Sequence, residues 1–145
     1  DTNLRGTFLL CKYVSSVMKQ NKKGVIILTS SGAGVTGGSS SYAYGASKGG
    51  VHGFTMVMQG YLESYGIRVN DVAPGSVRTP LKIENVNVMH QKAKHNINLP
   101  SKFSRAGQSL EDQLDKLTSP DDVAKIIAFM ASDEATLLKG TVFTG

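Results

Sequence analysis

From Leu4 to about Gln20 the apolar residues Phe8, Leu9, Cys11, Val14, Val17 and Met18 recur at helical spacing, the pattern of a helix with one buried face. The run Gln20-Asn21-Lys22-Lys23-Gly24 ends it, with basic residues and a glycine placed as a helix terminus requires. Val25-Ile26-Ile27-Leu28 is a short unbroken apolar run, as expected of a parallel strand covered on both faces. Thr29 to Ser41 is small and glycine-rich and predicts a loop. A long amphipathic helix follows from about Tyr42 to Tyr65, with Gly49, Gly50, Gly53 and Gly60 inside it. Each glycine there costs about 0.5–1 kcal/mol relative to alanine, so each is expected where another backbone comes close. Gly66 breaks the helix, and Ile67-Arg68-Val69-Asn70-Asp71-Val72 reads as a second strand. The segment from Pro80 to Thr118 is polar and weakly periodic and predicts short helices at most. Ser119 is a good N-cap, Pro120 suits the first helical position, and Asp122 puts negative charge in the first turn. Val123, Ile126, Ile127 and Met130 make that helix's apolar face, and Gly140 introduces a last strand, Thr141-Val142-Phe143-Thr144. The order α-β-α-β-α-β predicts an α/β fold with a parallel sheet of about three strands and flanking helices.

Composition narrows the class without changing this picture. A chain of 145 residues that is 40% hydrophobic and 19% charged buries one core in the manner of an ordinary globular protein. Its sixteen glycines follow no repeat, which excludes collagen-like and low-complexity readings. The net charge of +5 would permit a polyanion partner. The basic residues are scattered, however, and Asp112, Asp115, Asp121 and Asp122 intervene, so no nucleic-acid partner is expected. A single cysteine, Cys11, excludes an intrachain disulfide and argues for a reducing, cytoplasmic setting, with the thiol buried in its helix. No apolar run approaches the roughly 18 to 20 residues that span a bilayer, so no membrane partner is expected. His52, His90 and His95 lack metal-site spacing and, with Tyr42, are assigned surface or core roles without partners. No metal is expected.

The chemistry lies in three residues. Tyr44 and Lys48, four apart on a helix, share one face. Ser31, thirteen residues upstream of Tyr44, sits where the first strand ends. Free tyrosine has a pKa near 10, too high for a base at neutral pH, and a nearby ammonium favours the phenolate. A serine hydroxyl beside it could hold a substrate oxygen. The trio suits moving a proton on or off an alcohol or ketone oxygen, while a hydride needs a separate carrier.

A Tyr-x-x-x-Lys pair alone is weak evidence. Here it stands in order with Asn3-Leu4-Arg5-Gly6-Thr7-Phe8, Ile27-Leu28-Thr29-Ser30-Ser31, Tyr44-Gly45-Ala46-Ser47-Lys48, Gly66-Ile67-Arg68-Val69-Asn70 and Pro74-Gly75-Ser76-Val77-Arg78-Thr79. Ser119-Pro120-Asp121-Asp122-Val123-Ala124 and Phe129-Met130-Ala131-Ser132-Asp133-Glu134 follow. Over nearly its whole length the chain resembles the C-terminal part of a short-chain dehydrogenase/reductase. That resemblance implies a Rossmann-like, doubly wound parallel sheet and an NAD(P)-dependent oxidoreductase interconverting a secondary alcohol and a ketone. Tyr44 would be the general acid/base and also bind the cofactor, Lys48 would favour its phenolate and hold the nicotinamide ribose, Ser31 would orient the substrate oxygen, and Asn3 would hold a relay water. Pro74, Gly75, Val77 and Thr79 would flank the nicotinamide, and the segment after Pro80 would be a variable substrate loop. The two long helices imply a homodimer or homotetramer.

The resemblance also implies an incomplete single domain over residues 1–145. The family's glycine-rich turn and cofactor selector belong to an N-terminal half of about a hundred residues, and neither is present, so NAD and NADP are not distinguished. The fragment alone is expected to be inactive, and its first strand to expose an apolar edge prone to aggregation. A second reading is a non-catalytic short form acting only in subunit association. A third is a carrier-protein-linked ketoacyl reductase.

Overall fold

The computed structural model describes residues 1–37, 41–95 and 109–144. A π-helical turn, Thr2–Gly6, runs into α1 (Thr7–Asn21) and then strand β1 (Gly24–Thr29). Helices α2 (Gly32–Val35) and α3 (Tyr42–Leu62) lead to β2 (Ile67–Pro74). Helices α4 (Pro80–Lys94), α5 (Leu110–Asp115) and α6 (Pro120–Ala131) lead to β3 (Gly140–Thr144). The strands are parallel in the order β1-β2-β3, with Gly24 opposite Ile67, Thr29 opposite Val72, Asn70 opposite Gly140 and Pro74 opposite Thr144. Both crossovers are helical, as parallel neighbours require.

Alternation along each strand builds two layers of helix. Ile26, Leu28, Ile67 and Val69 pack with Cys11 of α1 and with Val51 and Leu62 of α3 in one apolar core. Burial there pushes the Cys11 thiol above its ordinary pKa. The opposite face receives α6 through the buried Val123 and Met130. Arg68 points that way too. Its guanidinium donates to the carbonyls of Met130 and Ala135, both at 3.0 Å, and of Ser132 at 2.7 Å, closing the C-terminal end of α6. This is the doubly wound α/β arrangement that the pattern and the resemblance anticipate.

The elements depart from the pattern in three places. The predicted loop after Thr29 contains α2, a helical turn of four residues that glycine-rich composition concealed. The polar segment after Pro80 holds a helix of 15 residues. Its start is fixed by Thr79, whose Oγ1 accepts from Lys82 N–H at 3.3 Å while its carbonyl accepts from Ile83 N–H at 2.9 Å. The α3 glycines divide. Gly49 meets the backbone of Gly34, and Gly50 meets the side chain of Leu4, but nothing lies near Gly53 or Gly60. Close backbone approach therefore explains one of the four.

Candidate active site

The site is assembled at the C-terminal ends of the strands. Beyond β1, Ser30 N–H donates to Val72 O at 2.9 Å and its hydroxyl donates to the carboxylate of Asp71, so the chain stays fixed past the last strand residue. Ser31 then turns the chain as the N-cap of α2, its Oγ accepting from Ala33 N–H at 3.2 Å. Accepting that bond leaves the hydroxyl proton of Ser31 free to be donated to another oxygen. A Cβ on Gly34 would overlap the backbone of Lys48 and Gly49, and one on Gly49 would stand 2.9 Å from Gly34 O. Only glycine at both positions lets α2 lie this close to α3. That contact sets Ser31 opposite the first turn of α3.

Ser41 caps α3, accepting from Tyr44 N–H at 3.3 Å, and places Tyr44 in that first turn. One turn on, Lys48 reaches back and donates from Nζ to Thr29 O at 2.8 Å. The same ammonium lies 6.0 Å from the centre of the Tyr44 ring. Tyr44 is 41% exposed, and its phenol oxygen has no hydrogen bond among the described residues. Ser31, Tyr44, Pro74 and Gly75 line one cleft of about 530 Å³, together with Thr36, Ser76, Lys82 and Phe143. Open parallel sheets place ligands in this position, outside the carboxyl ends of the strands.

The other expected site residues stand further off. Asn3 lies in the π-helical turn and donates from Nδ2 to Ser47 Oγ at 3.1 Å, and Ser47 donates to Tyr44 O at 2.8 Å. It borders an adjoining hollow that shares Tyr44 but not Ser31. Val77 bridges to Thr118, and Thr79 caps α4, so neither is on the cleft wall that the described residues form. A second cavity of about 360 Å³, among Gly24, Gly66, Asp133 and Lys139, lies at the opposite ends of the strands and is unconnected with Tyr44.

Sequence reasoning missed a buried polar cluster beneath the site. Asp71 is fully buried, accepting from Ser30 and, at 2.6 Å, from Thr141 Oγ1. His52 Nδ1 lies 2.9 Å from Thr141 Oγ1 and 3.5 Å from the Asp71 carboxylate. His52 therefore has partners, contrary to expectation, and His90 Nδ1 lies 3.5 Å from Gln113 Nε2. The members of the Asp71 cluster come from the residue after β1 and from α3, β2 and β3, and no local spacing signals them. Lys82 was hidden differently, inside a segment whose weak periodicity allowed short helices but placed none of them.

A family model for short-chain dehydrogenases matches residues 1–89. The chain belongs to the short-chain dehydrogenase/reductase family. A family member from Armillaria gallica is 37% identical over 139 residues, covering 95% of this chain and 50% of that protein. The crystal structure of levodione reductase superposes with a TM-score of 0.75 at 31% identity, covering 97% of this chain and 52% of that one. The structure of NAD+-bound xylitol dehydrogenase gives a TM-score of 0.76 at 26% identity, covering 96% of this chain and 54% of that one. The chain thus spans about half the length of the relatives it matches. Family members are NAD(P)-linked oxidoreductases, and the residues present fit the nicotinamide end of such a dinucleotide. Gly75 offers bare backbone on the cleft wall, steadied by its N–H donating to Thr144 O at 2.7 Å. Lys48 uses one N–H on Thr29 O, and its other two are the donors that could reach a ribose hydroxyl.

Proposed function

We propose that this chain is the catalytic and substrate-binding half of a single-domain enzyme that interconverts a secondary alcohol and a ketone with NAD or NADP. The observation that carries the reading is the shared cleft of Ser31 and Tyr44, with Lys48 bound between the end of β1 and the tyrosine ring. In the oxidising direction the phenolate of Tyr44 takes the hydroxyl proton of the alcohol. Ser31 donates a hydrogen bond to the same oxygen and fixes the substrate, while the Lys48 ammonium stands beside the tyrosine ring. The dinucleotide, when bound, supplies the hydride acceptor. In the reducing direction the Tyr44 hydroxyl returns the proton to the carbonyl oxygen. Asn3, joined to the carbonyl of Tyr44 through Ser47, holds the water that refills the tyrosine from solvent. Pro74 and Gly75 would flank the nicotinamide, with Val77 and Thr79 in the same loop, behind the cleft wall.

A second reading is association alone. α1 and α3 expose Leu10, Tyr13, Val17, Val57 and Tyr61, large apolar side chains of the kind found at association surfaces. We propose that the complete enzyme uses it as a homodimer or homotetramer. Tyr44→Phe in the full-length protein separates the two readings. Turnover falls about 10³-fold or more, while oligomer mass stays as in the wild type. Wild-type protein that binds no nicotinamide dinucleotide yet still oligomerises would leave association as its role.

A further inference from the structure

Within the cleft shared by Ser31 and Tyr44, the lining given by the described residues is uncharged apart from Lys82. Lys82 stands in the first turn of α4, its backbone N–H held by Thr79 Oγ1 at 3.3 Å, so a helix rather than a loose loop positions the side chain. It is half-buried, and its ammonium makes no hydrogen bond or ion pair among the described residues. Lys12, Lys19, Lys48, Lys125 and Lys139 each have an aromatic ring, a carbonyl or a carboxylate to rest against. A cation that shares a cleft with neutral hydroxyls and backbone is complemented by a ligand that brings a single negative charge into it.

We infer that Lys82 binds a carboxylate on the substrate, making the preferred substrates hydroxy acids and oxo acids. This rests on the alcohol–ketone reading, because Ser31 and Tyr44 must hold the reacting oxygen for Lys82 to face the remainder of the same molecule. Lysine acts here as one point charge, which matches a carboxylate and does not demand the fork that arginine presents.

The test uses the full-length protein and three oxo acids of increasing reach, pyruvate, acetoacetate and levulinate, each beside its methyl ester. Calorimetric titration in the presence of saturating nicotinamide dinucleotide gives dissociation constants, and cofactor oxidation gives turnover. At least one acid binds about tenfold or more tightly than its ester (about 1.4 kcal/mol). Lys82→Met removes that preference, leaving the ester within twofold, and Lys82→Arg retains it. Equal affinity for acid and ester in the wild type overturns the inference. So does a Lys82→Met variant that loses dinucleotide affinity in place of acid affinity, since the cation would then serve the cofactor phosphates. Acid preference without turnover of any carbonyl compound supports the lysine site and counts against the oxidoreductase reading alone.

Discussion

At the scale of single residues the site depends on what is missing from Gly34 and Gly49. A side chain at either position would collide with the facing backbone, and the collision cannot be relieved by rotating a rotamer. Gly34→Ala in the full-length protein is therefore expected to cost about 1–3 kcal/mol and to push Ser31 away from Tyr44. Urea unfolding reads the first effect and a fall in kcat the second. Gly53→Ala supplies the contrast, because its Cβ meets nothing and a helix interior favours alanine. The motif that marks Tyr44 and Lys48 was legible in the sequence; the contact that sets Ser31 beside them was not, because Gly34 and Gly49 look alike to any helix propensity.

Among the elements, α5 shows how much a cap contributes to a short helix. Ser109 accepts from Asp112 N–H at 3.0 Å, and the Asp112 carboxylate accepts from Ser109 N–H at 3.3 Å. The hydrogen bond with the Ser109 side chain, then that with its backbone, holds the Asp112 carboxyl below its ordinary pKa. A lowered folded value means that the contribution is complete above the ordinary carboxylate value of about 3.9. It is lost as pH falls through the folded value. Asp112→Asn should thus destabilise the protein at pH 7 and converge with the wild type in strong acid, as measured by melting temperature against pH. α6 obeys the same logic, and there the signals Ser119 and Pro120 were readable in advance. In α4 the equivalent Thr79-Pro80 start was overlooked because the residues after it carry little amphipathic contrast.

Across the whole molecule, Asp71 ties the sheet to the site. Its carboxylate joins Ser30 beyond β1 to Thr141 on β3 and lies beside His52 on α3. Asp71→Ala removes the buried acceptor that joins the Ser30 and Thr141 hydroxyls and is expected to cost about 1–3 kcal/mol. Asp71→Asn, which keeps one acceptor oxygen, should cost less, and equilibrium unfolding of both variants decides it. Near-neutral behaviour of Asp71→Ala would mean that the cluster is ornamental to stability. The order of the three strands with α1, α3 and α6, the caps of α6 and the Tyr44–Lys48 face followed from the sequence by itself, since each depends on residues within a turn or two. The family followed as well, because its motifs are contiguous runs. The cleft shared by Ser31, Tyr44 and Lys82 and the burial of Asp71 were decided only by tertiary structure. Each joins residues from separate elements, and backbone packing rather than local spacing sets the distance between them.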